Sequence, residues 1–245
     1  MKKTRKSACG SITVDQLVLF LGVLLLIAYF ALEVLIRITP LFRINADLRV
    51  LILLLICIVL YCGGRLALQR TKDKTLLRRL FLLFFFCYLY LILTLTLIDE
   101  TFGRSGAFFQ NDTIVDNLRA HYMRRYVNLL PLRSIYEVYI CGFRNGLVNS
   151  YYMHLNLVGN VCALMPLSFF LPLFFRSQRK WYVFLTTVSL FVVLIEVMQF
   201  AFMVGSCDVD DLILNAGGAT LLYFLLRLPS FRRLCKWLVA DCYEF

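Results

Sequence analysis

Six long apolar runs constrain the fold of this chain more than any other feature of its sequence. They cover residues 17–38, 50–66, 80–98, 155–175, 181–204 and 212–228. A helix needs about 20 residues to cross the hydrocarbon core of a bilayer, and a chain in lipid must satisfy its backbone hydrogen bonds internally. The runs lack the alternation of apolar and polar residues found in barrel strands, so each predicts a membrane-spanning helix.

Composition supports the membrane class. The chain is 61% hydrophobic, whereas soluble domains are about 45–50% apolar. A net charge of +11 can indicate a nucleic-acid partner, but the sequence contains no nucleic-acid-binding motif. The nine cysteines form no CxxC pair and no Cys/His cluster. The sequence therefore predicts no resident metal, no cofactor and no nucleic-acid partner.

The distribution of basic residues predicts the orientation of the chain. Most of the 26 lysines and arginines fall in residues 1–15, 63–79, 176–180 and 227–245. Positive charge collects on the cytoplasmic side of a membrane. We therefore expect a multi-pass protein of the cell membrane with both termini in the cytoplasm.

This orientation divides the chain into three regions. They are an N-terminal three-helix membrane region (1–98), an extracytoplasmic loop (99–154) and a C-terminal three-helix membrane region (155–245). Within the loop, residues 114–126 carry apolar side chains at helical spacing and predict an amphipathic helix at the membrane interface. The predicted fold class is an all-α polytopic helix bundle with about six spans.

Polar residues concentrate at the predicted outer end of this bundle. In the loop, Arg124 and Arg125 precede Asn128, and these arginines can contact lipid headgroups or a ligand. In the fourth helix, Asn156 and Asn160 are four residues apart and share one face. Their simplest role is hydrogen bonding between helices. Further along the same run, Gly159 and Ala163 predict close helix packing, and Pro166 predicts a kink.

Glu196 lies inside the fifth apolar run. A charge at the centre of a membrane helix costs about 2.5–3.5 kcal/mol on insertion scales, so an intramembrane carboxyl group is a candidate functional residue. Ser189, Glu196 and Gln199 share one face of a helix at about 100° per residue.

Asp208, Asp211 and Asn215 follow at i, i+3 and i+7 across the start of the sixth helix. Asp208 can cap the helix and complement its dipole, but with Asp210 there are three acids together, which repel one another, and one would suffice as a cap. The acids can hold a divalent cation through their oxygens, or pair with Arg124, Arg125 or Arg133, and the spacing leaves both alternatives open. Gly217 and Gly218 predict that the sixth helix packs closely.

A single polar pocket open to the outside, walled by helices four to six and roofed by the loop, explains these placements together. The predicted ligand-binding residues are Arg125, Asn128, Asn156, Asn160, Glu196, Gln199, Asp208, Asp211 and Asn215.

The same residues carry a resemblance to a known family. Asn-Leu-Leu-Pro at 128–131, Asn-Leu-Val-Gly-Asn at 156–160, Glu196-x-x-Gln199 and Asp208-Val-Asp-Asp-x-x-x-Asn215-x-x-Gly218 resemble the VanZ-like family over residues 124–226. The chain departs from the family pattern at two places. Many relatives carry an arginine where this chain has Gly205-Ser206-Cys207, and a glycine where it has Ser168.

The resemblance implies a bacterial integral membrane protein with a role in low-level resistance to teicoplanin-type glycopeptide antibiotics or in homeostasis of the cell envelope. The implied partners are membrane lipid and either the antibiotic or a lipid-linked cell-wall precursor.

Three mechanisms remain open at this point. The first is a non-enzymatic protein that binds an amphipathic ligand at the outer leaflet. The second is a membrane-embedded hydrolase or transferase for a lipid-linked precursor, with Glu196 as general acid or base and Asp208, Asp210 and Asp211 holding Mg²⁺. The sequence lacks a P-loop, a nucleophile elbow and an HExxH motif. The third is a transporter, which paired repeats and discontinuous helices would favour.

Overall fold

Helices dominate the part of the chain that the computed structural model describes, which is residues 12–38, 45–98, 127–136, 150–202 and 207–240. The first three are α1 (Val14–Ile38), α2 (Ala46–Thr71) and α3 (Thr75–Leu97). The second and third begin earlier than the apolar runs 50–66 and 80–98. The expected interfacial helix at 114–126 lies outside the described residues.

The later elements combine further helices with one pair of very short strands. In chain order they are β1 (Val127–Asn128), α4 (Arg133–Ile135), α5 (Ser150–Ala163), α6 (Leu167–Phe174), a 3₁₀ helix (Arg176–Arg179), α7 (Trp181–Ala201), β2 (Cys207–Asp208), α8 (Val209–Leu225) and α9 (Pro229–Val239).

Five described segments are long and apolar enough to cross a membrane. They are Val14–Ile36, Ala46–Thr71, Thr75–Leu97, Leu157–Phe174 and Trp181–Ala201. The helices α8 and α9 meet at an angle of 89° and supply a sixth span if the bent pair is counted as one. The predicted all-α polytopic bundle is confirmed, and its expected number of spans agrees with these five or six.

The chain divides into two compact units, Met1–Cys87 and Tyr88–Phe245, so the boundary falls inside α3. In the first unit, α1 packs along α2. A Cβ atom added at Gly22 would lie 2.7 Å from a methyl carbon of Leu60, and one added at Gly63 would lie 3.0 Å from Leu19. Small residues on both helices therefore allow the close approach.

Among the described side chains, two ion pairs join α1 to α2. Near the C-terminal end of α1, Glu33 lies 3.5 Å from Arg49, and both side chains are largely buried. Near the other end of α1, Asp15 lies 2.9 Å from Arg70. Burial of a charge is costly unless the charge is paired, so these contacts explain how acidic residues are tolerated in such an apolar helix.

In the second unit, the apolar run 155–175 is not one continuous helix. At residues 164–166 the α-helical hydrogen bonds give way to turns, in which the N–H groups of Met165 and Leu167 bond to carbonyls three residues earlier, and Pro166 is the N-cap of α6. The sequence predicted a kink at Pro166, and the interruption lies there, while Leu157–Phe174 still forms one candidate span. The Tyr88 hydroxyl donates to the Ala163 carbonyl over 2.7 Å, which satisfies a carbonyl group at the end of α5. Beyond the break, the Ser168 hydroxyl donates to the Ala219 carbonyl over 2.8 Å and joins α6 to α8.

Candidate functional site

Asp208 occupies the N-cap position of α8. Its backbone is extended, and its Oδ1 accepts a hydrogen bond of 2.9 Å from the backbone N–H of Asp210. Aspartate is favoured at this position because its carboxylate satisfies an N–H group that the helix leaves unpaired. The predicted capping role of Asp208 is confirmed. The helix begins at Val209 rather than Leu212, so Asp210 and Asp211 lie in its first turn.

Segment 127–136 lies against the start of α8. The strands β1 and β2 pair in parallel, with Val127 opposite Cys207 and Asn128 opposite Asp208. The side chain of Asn128 donates through Nδ2 to Asp208 Oδ1 (3.0 Å) and to Ser134 Oγ (2.9 Å). The Ser134 hydroxyl donates to Asp208 Oδ2. The carboxylate of Asp208 thus caps its own helix and also holds a segment from 80 residues earlier in the chain.

Asp210 holds the same segment from the other side. Its side chain is 1% exposed, and its oxygens accept the backbone N–H groups of Leu132 and, over 3.1 Å, Ile135. Asp210 therefore caps the short helix α4, which follows the left-handed residue Leu132. We call the contacts of Asp208 and Asp210 with residues 128–135 the aspartate clamp.

Asp210 and Ser134 were not among the predicted ligand-binding residues, although Asp210 was one of the acids of the enzymatic alternative. The signal was present for both. Asp210 stands in the middle of the Asp-Val-Asp-Asp pattern, and Ser134 lies three residues after Pro131. Their roles depend on contacts across more than 70 residues of chain, which no local spacing reveals.

Glu196 lies on α7 and is 8% exposed. Its Oε2 accepts the backbone N–H of Asp208 over 3.1 Å, so the carboxylate faces β2. Burial raises the pKa of the neighbouring Cys207 thiol, and the carboxylates of Glu196 and Asp208 raise it further. The surroundings of Cys207 are therefore partly buried and negatively charged.

Gln199 contacts a different partner from Glu196. Its side-chain amide donates to the backbone carbonyl of Thr96 on α3 over 2.9 Å. The shared face predicted for Glu196 and Gln199 thus leads to two contacts, one with β2 and one with α3. The contact with Thr96 joins two helices, as glutamine side chains do in membrane bundles.

The helices α5 and α8 are joined by Asn160 and Asp211. The Asn160 side-chain amide donates to Asp211 Oδ1. Both side chains are only partly buried. Asn215, which is buried, donates instead to the backbone carbonyl of Asp211 on its own helix over 2.8 Å.

Gly218 allows α5 and α8 to approach closely. A Cβ atom added there would lie 2.0 Å from the Val161 carbonyl oxygen, which is far inside van der Waals contact. Gly217 and Gly159 were also expected to permit close packing, and for them the expectation is wrong. No atom of the described residues lies within 4 Å of a Cβ atom added at either position.

Two predicted site residues cannot be placed. Arg125, together with Arg124, lies outside the described residues. Asn156 lies on α5, but its side chain is outside the described part of the structure. Among the side chains that are described, no group of three or more His, Cys, Asp or Glu residues is arranged to hold a metal ion.

Comparison with known proteins agrees with this geometry. The sequence model of the VanZ/LLP1 family matches residues 84–231. The chain belongs to the VanZ/LLP1 family. The matched region runs from α3 to the start of α9 and includes the aspartate clamp together with Asn160, Glu196 and Asp211. Neither the curated proteins nor the solved structures contain a significant match.

Membership of the VanZ/LLP1 family and the membrane helices together establish a VanZ-like multi-pass membrane protein. The part of the chain that precedes residue 84, with α1, α2 and the start of α3, lies outside the family match.

Proposed function

We propose that this VanZ/LLP1 protein acts at the outer leaflet of a bacterial cell membrane and gives low-level protection against teicoplanin-type glycopeptides. In this proposal the site binds an amphipathic ligand, which is the antibiotic through its lipid tail or a lipid-linked cell-wall precursor. Bound ligand would limit the access of the antibiotic to its target. Both termini are cytoplasmic, and the start of α8 faces outward.

The observation that carries the proposal is the aspartate clamp. Asp208 and Asp210 use their carboxylate oxygens to hold segment 127–136 across the start of α8. The clamp fixes this segment beside the start of α8, which supports an ordered entrance for a ligand there. Because these carboxylates already accept several N–H and O–H donors, they act as positioning residues for the segment.

Asn160 and Asp211 are the residues that we assign to ligand contact. They lie on adjacent helices, are bonded to each other, and remain partly accessible. An amide and a carboxylate at the rim of an apolar bundle suit a ligand with a polar head and an apolar tail, because the head can exchange hydrogen bonds while the tail contacts the helices.

The enzymatic alternative rests on Glu196. Its carboxyl group is 8% exposed beside the electronegative start of α8, and buried carboxyl groups in such sites can serve as general acids or bases. Turnover of a lipid-linked wall precursor by the purified protein would favour this alternative, whereas saturable binding without product supports the binding protein.

A complementation series tests the proposal. The wild-type chain and the variants Asp211→Asn and Asn160→Ala would be expressed in a teicoplanin-susceptible Gram-positive host, with membrane levels checked by immunoblot. The matched control is Asp47→Asn, because Asp47 is an exposed acid in the first turn of α2 and lies outside the site. We expect the wild type and Asp47→Asn to raise the inhibitory concentration of teicoplanin and the two site variants to lose that increase.

Two results would contradict the proposal. One is a wild-type chain that is present in the membrane and gives no protection. The other is full protection by both site variants at equal protein level. The orientation is tested separately. Green fluorescent protein fused after Phe245 should fluoresce and alkaline phosphatase fused there should be inactive, and the reverse pattern would overturn the orientation.

A further inference from the structure

A cavity of about 330 Å³ lies at the opposite end of α8 from the aspartate clamp. It is formed where α6, the 3₁₀ helix, the end of α8 and the start of α9 meet, and its lining includes Ser168, Arg179, Tyr223, Arg227 and Arg232. Among the described residues that line it, none is acidic. Three guanidinium groups therefore give the cavity a strongly positive character, and we call it the cationic cavity.

Arg227 is held in place by its surroundings. Its Nη2 donates to the Arg179 carbonyl (2.7 Å) and its Nη1 to the Tyr223 carbonyl (3.3 Å). Its guanidinium carbon lies 3.4 Å from the centre of the Tyr223 ring. These partners orient the cation but carry no negative charge, and a guanidinium has more N–H donors than the two carbonyls use.

The support beneath Arg227 is rigid. Tyr223 is 1% exposed, stacks on Phe184 with ring centres 4.4 Å apart, and donates its hydroxyl to the Arg179 carbonyl over 2.7 Å. The Arg179 side chain is itself anchored, because its Nε donates to the Pro172 carbonyl over 3.3 Å. A fixed guanidinium loses little conformational entropy on binding an anion. Arginine in such a setting suits an oxyanion that can accept two parallel hydrogen bonds, and phosphate is the best match.

The helix α9 indicates where this phosphate comes from. It turns away from α8 at 89°, and it has three different faces. Cys235 and Val239 are buried, whereas Phe231, Leu234 and Trp237 are exposed. The basic residues of the helix, which are Arg232, Arg233 and Lys236, are exposed as well.

This arrangement is that of a helix lying in a membrane surface, with apolar side chains in the acyl region and basic side chains among the headgroups. We propose that the cationic cavity binds the phosphate group of an anionic phospholipid in the leaflet on which α9 lies. The headgroup enters between Arg227 and Arg232, and the acyl chains run beside the exposed apolar face of α9. The volume of the cavity is at the lower end of the range for ligand pockets, about 300–1,000 Å³, which suits a headgroup rather than a whole lipid. This proposal does not depend on the function assigned to the aspartate clamp.

The proposal is tested with the full-length protein in nanodiscs of phosphatidylcholine, with or without phosphatidylglycerol. Native mass spectrometry would count the retained phosphatidylglycerol, and thermal unfolding would report stabilisation. We expect Arg227→Gln to weaken retention about tenfold through loss of a bidentate charged contact. Arg232→Gln is the second variant, because Arg232 is exposed and its replacement leaves the Tyr223 contacts intact. Arg176→Gln is the matched control, since Arg176 is an exposed arginine at the same end that does not line the cavity.

Wild-type retention that falls in both cavity variants but not in Arg176→Gln supports the proposal. Equal losses in all three variants would mean a general surface charge effect and would overturn it. Inorganic phosphate added to phosphatidylcholine nanodiscs separates the two sources of phosphate. If it stabilises the protein as much as phosphatidylglycerol does, the site takes free phosphate and the lipid proposal is wrong.

Discussion

The buried carboxylate of Asp210 accepts the backbone N–H of Leu132, a residue 78 positions earlier in the chain. Leu132 has a φ of 64°, in the left-handed region that leucine seldom adopts. The carboxylate thus stabilises a backbone turn that the local sequence does not favour.

Replacement of Asp210 should loosen segment 127–136. In Asp210→Asn one acceptor oxygen becomes an amide group that faces a backbone N–H, so we expect a loss of about 1–3 kcal/mol. The measurement is the melting temperature of the detergent-solubilised protein. Asp47→Asn serves as the exposed control and should melt like the wild type. Equal melting of Asp210→Asn and Asp47→Asn would contradict the clamp.

Asn128 and Asp208 should be energetically coupled. Their side chains lie 3.0 Å apart and share Ser134 as a partner. A double-mutant cycle with Asn128→Ala and Asp208→Asn should give a coupling energy of about 0.5–3 kcal/mol, as for residues of one hydrogen-bond network. Thermal unfolding of the four proteins supplies the cycle. Strictly additive losses of stability would show that these two side chains do not couple β1 to β2.

The glycine pair in α8 offers a matched comparison. Gly218→Ala places a methyl group 2.0 Å from the Val161 carbonyl oxygen, and backbone cannot yield as a side chain can. We expect α5 and α8 to separate, with a loss of about 1–3 kcal/mol as for overpacking elsewhere. The added methyl group of Gly217→Ala meets no described atom within 4 Å, so this variant should be neutral or stabilising, because alanine favours helix. Membrane yield and melting temperature test both, and equal behaviour of the two variants would refute the close contact.

Loss of one member of the Glu33–Arg49 pair should destabilise the protein more than replacement of both members by apolar residues. Loss of one member of a buried pair costs about 3–5 kcal/mol, whereas an apolar replacement of both is often neutral. Arg49→Met should therefore destabilise the protein strongly, and the double variant Glu33→Leu/Arg49→Met should recover most of that loss. A double variant no more stable than Arg49→Met would argue against the pairing.

The reactivity of the Cys207 thiol should depend on the negative charge at the start of α8. Burial first, and then the carboxylates of Glu196 and Asp208, raise the pKa of its thiol. Because the thiolate is the reactive form, alkylation of Cys207 by iodoacetamide should be slow at pH 8 and accelerate as the pH rises. Glu196→Gln keeps an acceptor for the Asp208 N–H but removes a negative charge, so it should lower the pKa and speed alkylation at pH 8.

The rate is read from the Cys207 peptide by mass spectrometry. Asp47→Asn, which removes an acid elsewhere, should leave the rate unchanged. An unaltered rate in Glu196→Gln would mean that its carboxylate does not act on the thiol.

Much of the fold follows from the sequence alone because lipid imposes simple rules. The apolar runs become helical, one of them as the pair α5 and α6, since no other backbone arrangement is satisfied within a single segment. The break near Pro166 and the cap at Asp208 depend on the chemistry of one or two adjacent residues. Such local effects need no knowledge of the rest of the chain.

The contacts of the site could not be predicted in the same way. Asn128 meets Asp208 across 80 residues, and nothing in the spacing of either motif specifies that partner. Gly217 and Gly218 are neighbours in sequence, yet only Gly218 faces α5, because the rotation of a helix is set by packing. Glu33 likewise has its partner Arg49 on the next helix, 16 residues later in the chain.

The amphipathic helix α9 is a different case. Phe231, Leu234, Cys235 and Leu238 follow i, i+3, i+4 and i+7 spacing, which is the pattern of a helix with one apolar face. The pattern was present in the sequence, where residues 227–245 served only to predict a cytoplasmic C-terminus. Arg227 and Arg232 contribute to the charge bias that predicts the orientation, and both also line the cationic cavity.

The two ends of α8 carry opposite charge, with Asp208, Asp210 and Asp211 at its start and Arg227 just beyond its end. In the proposed orientation the acids face the positive side of an energised membrane and the arginine faces the negative side. Moving one elementary charge across such a membrane involves about 2.3 kcal/mol per 100 mV. The resting voltage of the cell would therefore favour this placement of α8, and its collapse would remove that contribution.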